Sequence, residues 1–149
     1  MEIVLDEWVY DYVRDQSADH STLLSFLERL VEKCDRFVTV QGGPLDAKLY
    51  SMWGHCHQWG PAACLLTKYF FDTIRFDPNK LRILDEQELD DLPPHLQPVV
   101  PPDDKYLVRL ALTVGAPILT TDGRLRDMLS DCQDLHFLMV DDFLSSYDC

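Results

Sequence analysis

Four aspartates of this chain stand where an apolar run ends or a helical one begins. Asp6 closes "EIVLD", Asp46 follows "RFVTVQGGP", Asp104 opens "DKYLVRLALTVG" and Asp122 closes "PILTTD". In open α/β sheets ligands bind in the crevice outside the carboxyl ends of the strands, so these are positions at which chemistry is expected. Carboxylates gathered at one place repel one another and raise some of their own pKa values, and a cation is what neutralises such a cluster. Oxygen-only ligands select a hard ion, Mg²⁺ or Mn²⁺.

The elements that must carry these acids are readable from periodicity. "EIVLD" predicts a short strand, and "HSTLLSFLERLVEKC" a helix with Leu23, Leu24, Leu27, Leu30 and Val31 on its inner stripe and Ser21 as its cap. "RFVTVQ" predicts a second strand, and "LDAKLYSMWGHC" a helix with Pro44 in its first turn and Leu45, Leu49, Met52, Trp53 and Cys56 on one side. "PAACLLTKYFFDTI" continues as helix, and "KLRIL" is a third strand. "DKYLVRLALTVG" places Leu107, Leu110, Ala111 and Val114 at helical spacing, with Asp103 as cap and Gly115 as terminator. "PILTT" and "LHFLMV" complete five strands alternating with helices, which predicts an α/β fold: a three-layer α/β/α sandwich around a parallel sheet. The segment 85–102, five acids followed by five prolines, reads as a long surface connection.

At 149 residues with 46% apolar content, the chain suits one domain, spanning 1–149, with a real core. Thirteen basic against 26 acidic residues give 13 − 26 = −13, which argues for a soluble protein and against a membrane surface or a broad nucleic-acid footprint. A polyanionic substrate would need local positive charge or metal. The five cysteines form no CxxC pair, and "MEIVLD" lacks a basic start and a long apolar stretch, so a reduced, cytoplasmic chain without signal peptide or membrane span is expected.

"DKYLVRLALTVGAPILTTD" carries a more specific pattern. Counted from Asp104, Leu107 is three residues on, Ala111 seven, Gly115 eleven, Pro117 thirteen and Asp122 eighteen. That run of helix, turn and strand leading to an acid, together with "IVLDEWVYDYV", resembles the PIN-domain ribonucleases, small metal-dependent nucleases that include many toxins of toxin–antitoxin pairs. The resemblance implies an endoribonuclease that hydrolyses RNA phosphodiesters, with Asp6, Asp104 and Asp122 holding Mg²⁺ or Mn²⁺ and Asp46 in the place of the family's second acid. It further implies an antitoxin protein as partner and a homodimer as assembly. Two departures stand out: Trp8 occupies the place where the family has a small polar residue supporting the first Asp, and Asp46 is one methylene shorter than the family's Glu.

Around the acids, Thr120 and Thr121 are placed to hydrogen-bond Asp122 or a phosphate, and Lys48, Lys105, Arg109, Arg124 and Arg126 are the bases nearest in sequence. His55, Cys56 and His57 lack the spacing of a zinc site. Trp53, Trp59, Tyr69, Phe70 and Phe71 contain the chemistry to stack bases, but their helical spacing reads first as core. Two rivals remain: a PIN-fold binding module with weakened catalysis, and a receiver-type domain with Asp85 as phosphoacceptor, for which "LHFLMVDD" supplies no lysine.

Overall fold

The computed structural model describes residues 1–147. Five parallel strands, β1 (Glu2–Leu5), β2 (Arg36–Val40), β3 (Leu81–Leu84), β4 (Ile118–Thr120) and β5 (Phe137–Met139), form one sheet in the order β3-β2-β1-β4-β5. Between and after them run α1 (Trp8–Arg14), α2 (His20–Glu32), α3 (Pro44–His55), α4 (Pro61–Phe70), α5 (Lys105–Val114), α6 (Gly123–Met128) and α7 (Val140–Ser146). The expected α/β sandwich is present. The order also separates it from a receiver domain, whose doubly wound sheet runs 2-1-3-4-5.

Side chains of a strand alternate between faces, and the core divides accordingly. Ile3 and Leu5 of β1 face one apolar cluster with Phe37, Leu81 and Leu119, covered by α1, α2, α3, α4 and α7. Val4 faces the other with Val38, Val40, Leu84 and Ile118, covered by α5 and α6. The chain steps from β1 through β2 to β3 with its connections on the first face, then returns to the far side of β1 to lay down β4 and β5 with α5 and α6 on the second. Right-handed crossovers in opposite directions demand opposite faces. The reversal leaves a crevice between the carboxyl ends of β1 and β4.

Helix ends follow local chemistry with some corrections. Gly115 takes the left-handed conformation (φ 65°) that terminates α5, as its place after the stripe predicts. The cap of α2 is Asp19, not Ser21: its carboxylate accepts from the Thr22 N–H and from the hydroxyls of Ser21 and Thr22. Neither Asp103 nor Asp104 caps α5 with its side chain; both lie in a 3₁₀ turn, Pro102–Asp104, that leads into it. The helical run after Gly60 passes at Phe71–Arg75 into a π-helical turn. Among the described residues no helix is long and apolar enough to cross a membrane, and the four described cysteines are free thiols. Cys149 lies outside the described residues.

The 85–102 connection differs from the surface loop that its acids and prolines suggest. Leu89, Leu92, Leu96 and Val100 are all buried in the second cluster, so the segment lies as a strap across one face of the core. Arg109 clamps it: its Nε donates to the Asp90 carbonyl at 3.0 Å and its Nη2 to the Leu89 carbonyl at 3.3 Å. The Thr113 hydroxyl accepts from the Asp90 N–H at 2.9 Å. Prolines prevent a helix, yet apolar residues three to four apart still reach one side of an irregular chain. Truncating Leu96 to alanine is expected to lower stability by about 2–5 kcal/mol in urea unfolding, the range for a buried leucine, whereas a surface loop would lose almost nothing.

Candidate active site

Asp6 follows β1 directly, and both of its carboxylate oxygens are engaged. Oδ1 accepts from the Glu7 N–H at 2.7 Å, and Oδ2 accepts from the Thr120 hydroxyl at 2.7 Å. Thr120, fully buried at the end of β4, also accepts from the Asp122 N–H at 3.0 Å. One hydroxyl thus ties the first acid to the backbone of the last, across the crevice between β1 and β4. Asp122 caps α6, its Oδ1 accepting from the Leu125 N–H at 3.0 Å.

Asp104 reaches the same space from the start of α5. Burial pushes its pKa up, and the charges of Asp122 and Asp6, then Asp103 and Glu7, push it further. Asp104 therefore stands within electrostatic reach of Asp6 and Asp122, both separate from it in sequence. Their donor chemistry, oxygen only, suits a hard cation. They do not form a ready-made ligand set: among the described residues no group of three His, Cys, Asp or Glu stands close enough to hold a metal ion.

Asp46 is drawn elsewhere. Its Oδ1 pairs with Arg75 Nη2 at 3.2 Å, with both side chains nearly buried, and its Oδ2 accepts from the Gly42 N–H at 3.2 Å. Two residues that sequence reasoning passed over stand nearer the acids. Glu7, its pKa raised by burial and by Asp6 and held back by Lys48, pairs with Lys48 at 3.7 Å. Tyr106 is surrounded by Asp6, Glu7 and Asp104, and its hydroxyl is buried without a hydrogen-bond partner. Glu7 and Tyr106, with Pro44, Pro102 and Asp103, line a concavity of about 490 Å³ beside the acids. An acid next to Asp6 and a tyrosine two residues after Asp104 were the available signals, since both follow directly from a site residue.

Trp8 is buried at 4% exposure, and its indole N–H donates to the Leu119 carbonyl at 2.9 Å. Its side chain anchors α1 to β4, and the polar support that Asp6 needs comes from Thr120. Of the expected bases, Lys48 serves Glu7, Arg109 holds the strap and Arg126 pairs with Asp127. His55 turns its Nδ1 to the Ser51 carbonyl of its own helix at 2.9 Å. No family model and no curated protein matches the chain, so the site is read from its own geometry.

Two outcomes follow. A carboxylate whose folded pKa lies above its unfolded value carries a cost while ionised, relieved as pH falls through the folded pKa. Asp104→Asn should therefore raise the melting temperature at about pH 7, and the difference should vanish near pH 3, below the ordinary carboxylate value, where both side chains are uncharged. Thr120→Val removes the donor to Asp6 and leaves the Asp122 N–H without its acceptor, and should cost about 1–3 kcal/mol in denaturant unfolding.

Proposed function

We propose that this chain is a Mg²⁺- or Mn²⁺-dependent endoribonuclease of PIN-like architecture. The observation that carries the reading is the action of Asp6 and Asp122 on Asp104 at the crevice where the strand order reverses, the place at which α/β sheets bind ligands. An Asp104 carboxyl pushed up by burial and by neighbouring acids, without a structural partner, is a destabilising arrangement, and functional sites are where such arrangements persist.

In this reading Asp6, Asp104 and Asp122 would hold the ion by drawing closer than the metal-free chain keeps them, with Asp6 oriented by Thr120 and Asp122 fixed by its cap. A bound divalent ion would bind the scissile phosphate, lower the pKa of an attacking water and stabilise charge on the departing oxygen. The unpartnered Tyr106 hydroxyl supplies a donor next to the same acids, and Lys48 limits the negative charge of Glu7. The setting that the resemblance implies is the toxin of a toxin–antitoxin pair in the cytoplasm, acting as a homodimer and blocked by a protein partner.

One observation favours a second reading, a PIN-fold binding module with weakened catalysis. Asp46 is committed to Arg75, and no three acids are within reach of one ion among the described residues.

Asp122→Asn separates the two. Asparagine caps a helix as well as aspartate does, so the variant keeps the bond to the Leu125 N–H and loses one charge. The parent should cleave RNA with Mn²⁺, and an ion at about 100 times its Kd should stabilise it by roughly 2.7 kcal/mol. The variant should lose cleavage and most of that stabilisation while its metal-free stability is equal or higher. A parent inert towards structured and single-stranded RNA with Mn²⁺, and unchanged in melting across the titration, would leave the binding module.

A further inference from the structure

Away from the acids, a second concavity of about 470 Å³ is lined by Tyr50, Trp53, Phe71, Asp72 and Phe76. Phe71 forms its buried floor, with its ring centroid 4.9 Å from Trp53, 6.1 Å from Tyr50 and 6.2 Å from Phe76. The other three rings are 51%, 55% and 70% exposed for Tyr50, Trp53 and Phe76. Helical spacing suggests a core position for Trp53; the structure instead places it at the rim of an open aromatic bowl. Exposed aromatics gathered at one site mark binding surfaces rather than chance.

Three further features belong to the same place. Phe71, Asp72 and Arg75 lie on the π-helical turn, a rare geometry found frequently at functional sites. Arg75 is 10% exposed, with its guanidinium carbon 5.4 Å from the Tyr50 ring centroid and 5.1 Å from that of Phe76. Its Nη2 donates to Asp46 and to the Tyr50 hydroxyl, whereas its buried Nε has no hydrogen-bond partner.

We propose that this bowl binds an unpaired nucleobase of single-stranded RNA. The choice of RNA rests on the nuclease reading above; the choice of a base rests on the residues. Rings of Trp, Tyr and Phe with an adjacent guanidinium stack any base through its π-face. The carboxylate of Asp72 at the wall accepts from a base amino group. Among the described residues the lining of the bowl carries no basic side chain, and the neighbouring Arg75 is paired with Asp46, so the charge suits a neutral base edge better than a phosphate. Arg75 also joins the bowl to the first turn of α3 through Asp46.

The test uses a purine-rich oligoribonucleotide of about eight nucleotides, its abasic counterpart and the same strand in a duplex, each end-labelled with a fluorophore and bound without divalent ions while its fluorescence anisotropy is followed. Trp53→Ala and Phe76→Ala truncate exposed rings and should fold as the parent does. Each should weaken binding of the single strand about 5- to 150-fold, the loss of one stacked base, and the parent should bind the abasic and duplex forms as weakly as the variants bind the single strand. Equal affinities in parent and variants would overturn the proposal. So would a parent dimer that dissociates on Trp53→Ala while RNA binding stays unchanged, since the bowl would then join two copies of the chain. Cleavage is assayed separately with Mn²⁺: loss of binding in the variants alongside an inert parent would sink the nuclease reading and keep the base site, whereas cleavage with unchanged KM in both variants would do the reverse.

Discussion

The hydroxyl of Thr120 is the contact on which the site depends. It lies at the end of β4, fully buried, gives its proton to Asp6 at the end of β1, and accepts the N–H of Asp122. β1 and β4 are neighbours in the sheet but far apart in sequence, joined in the middle of a strand order that reverses between them. A buried donor and acceptor satisfied together fix the relative position of two strand ends far better than apolar packing alone, because slipping either strand would leave a polar group unpaired. The register Leu5 with Leu119 brings Asp6 and Thr120 within reach, and Trp8, bonded to the Leu119 carbonyl, holds the first turn of α1 over the same register. Two side chains from opposite ends of the sequence therefore lock the crevice in which the acids meet.

Like charges make that crevice expensive. Asp104 carries the cost, since it gains neither a cap interaction nor an ion pair and is pushed upward by burial and by four neighbouring acids. Asp6 and Asp122 are compensated by backbone and hydroxyl donors, and Glu7 by Lys48. The unequal treatment is informative. An acid needed only to begin a helix would cap it, as Asp19 does for α2 with three donors and a pKa lowered to about 2 by the Ser21 and Thr22 hydroxyls. Asp104 has a similar opportunity at α5 and does not use it.

The strands and most helices were legible in the sequence because one face of each is apolar at the right period; Asp6 and Asp122 stood out because each ends a strand, and Asp46 and Asp104 because each stands at the start of a helix. The strap was not. Leu89, Leu92, Leu96 and Val100 have the spacing of a buried stripe, but the prolines and acids among them dominate any reading by composition. Ser21 looked like a cap because the apolar stripe begins after it, whereas the true cap, Asp19, is chosen by three donors that only the folded turn brings round. The partner of Asp46 was invisible for the same reason: Arg75 is twenty-nine residues away, on a π-helical turn that no simple periodicity announces. Glu7 and Tyr106 lie beside acids already singled out, and their role depends on where α1 and α5 start, to within one residue.

The pair of Asp46 and Arg75 couples the two halves of the functional argument. It engages Asp46 rather than leaving it for an ion, and the nearly buried arginine so anchored lies against Tyr50 and Phe76. A chain with net charge −13 repels the RNA backbone at long range, so it gains little from the phosphate contacts that supply affinity in most nucleic-acid binders. In the base-site proposal its affinity comes from the base itself, which carries no net charge and is available to an aromatic bowl only when it is unstacked. Duplex RNA keeps its bases stacked and presents phosphates first, so an acidic protein that reads bases discriminates against duplex by repulsion as well as by shape. The acidity that at first argues against nucleic acid becomes, for a reader of unpaired bases, a source of selectivity.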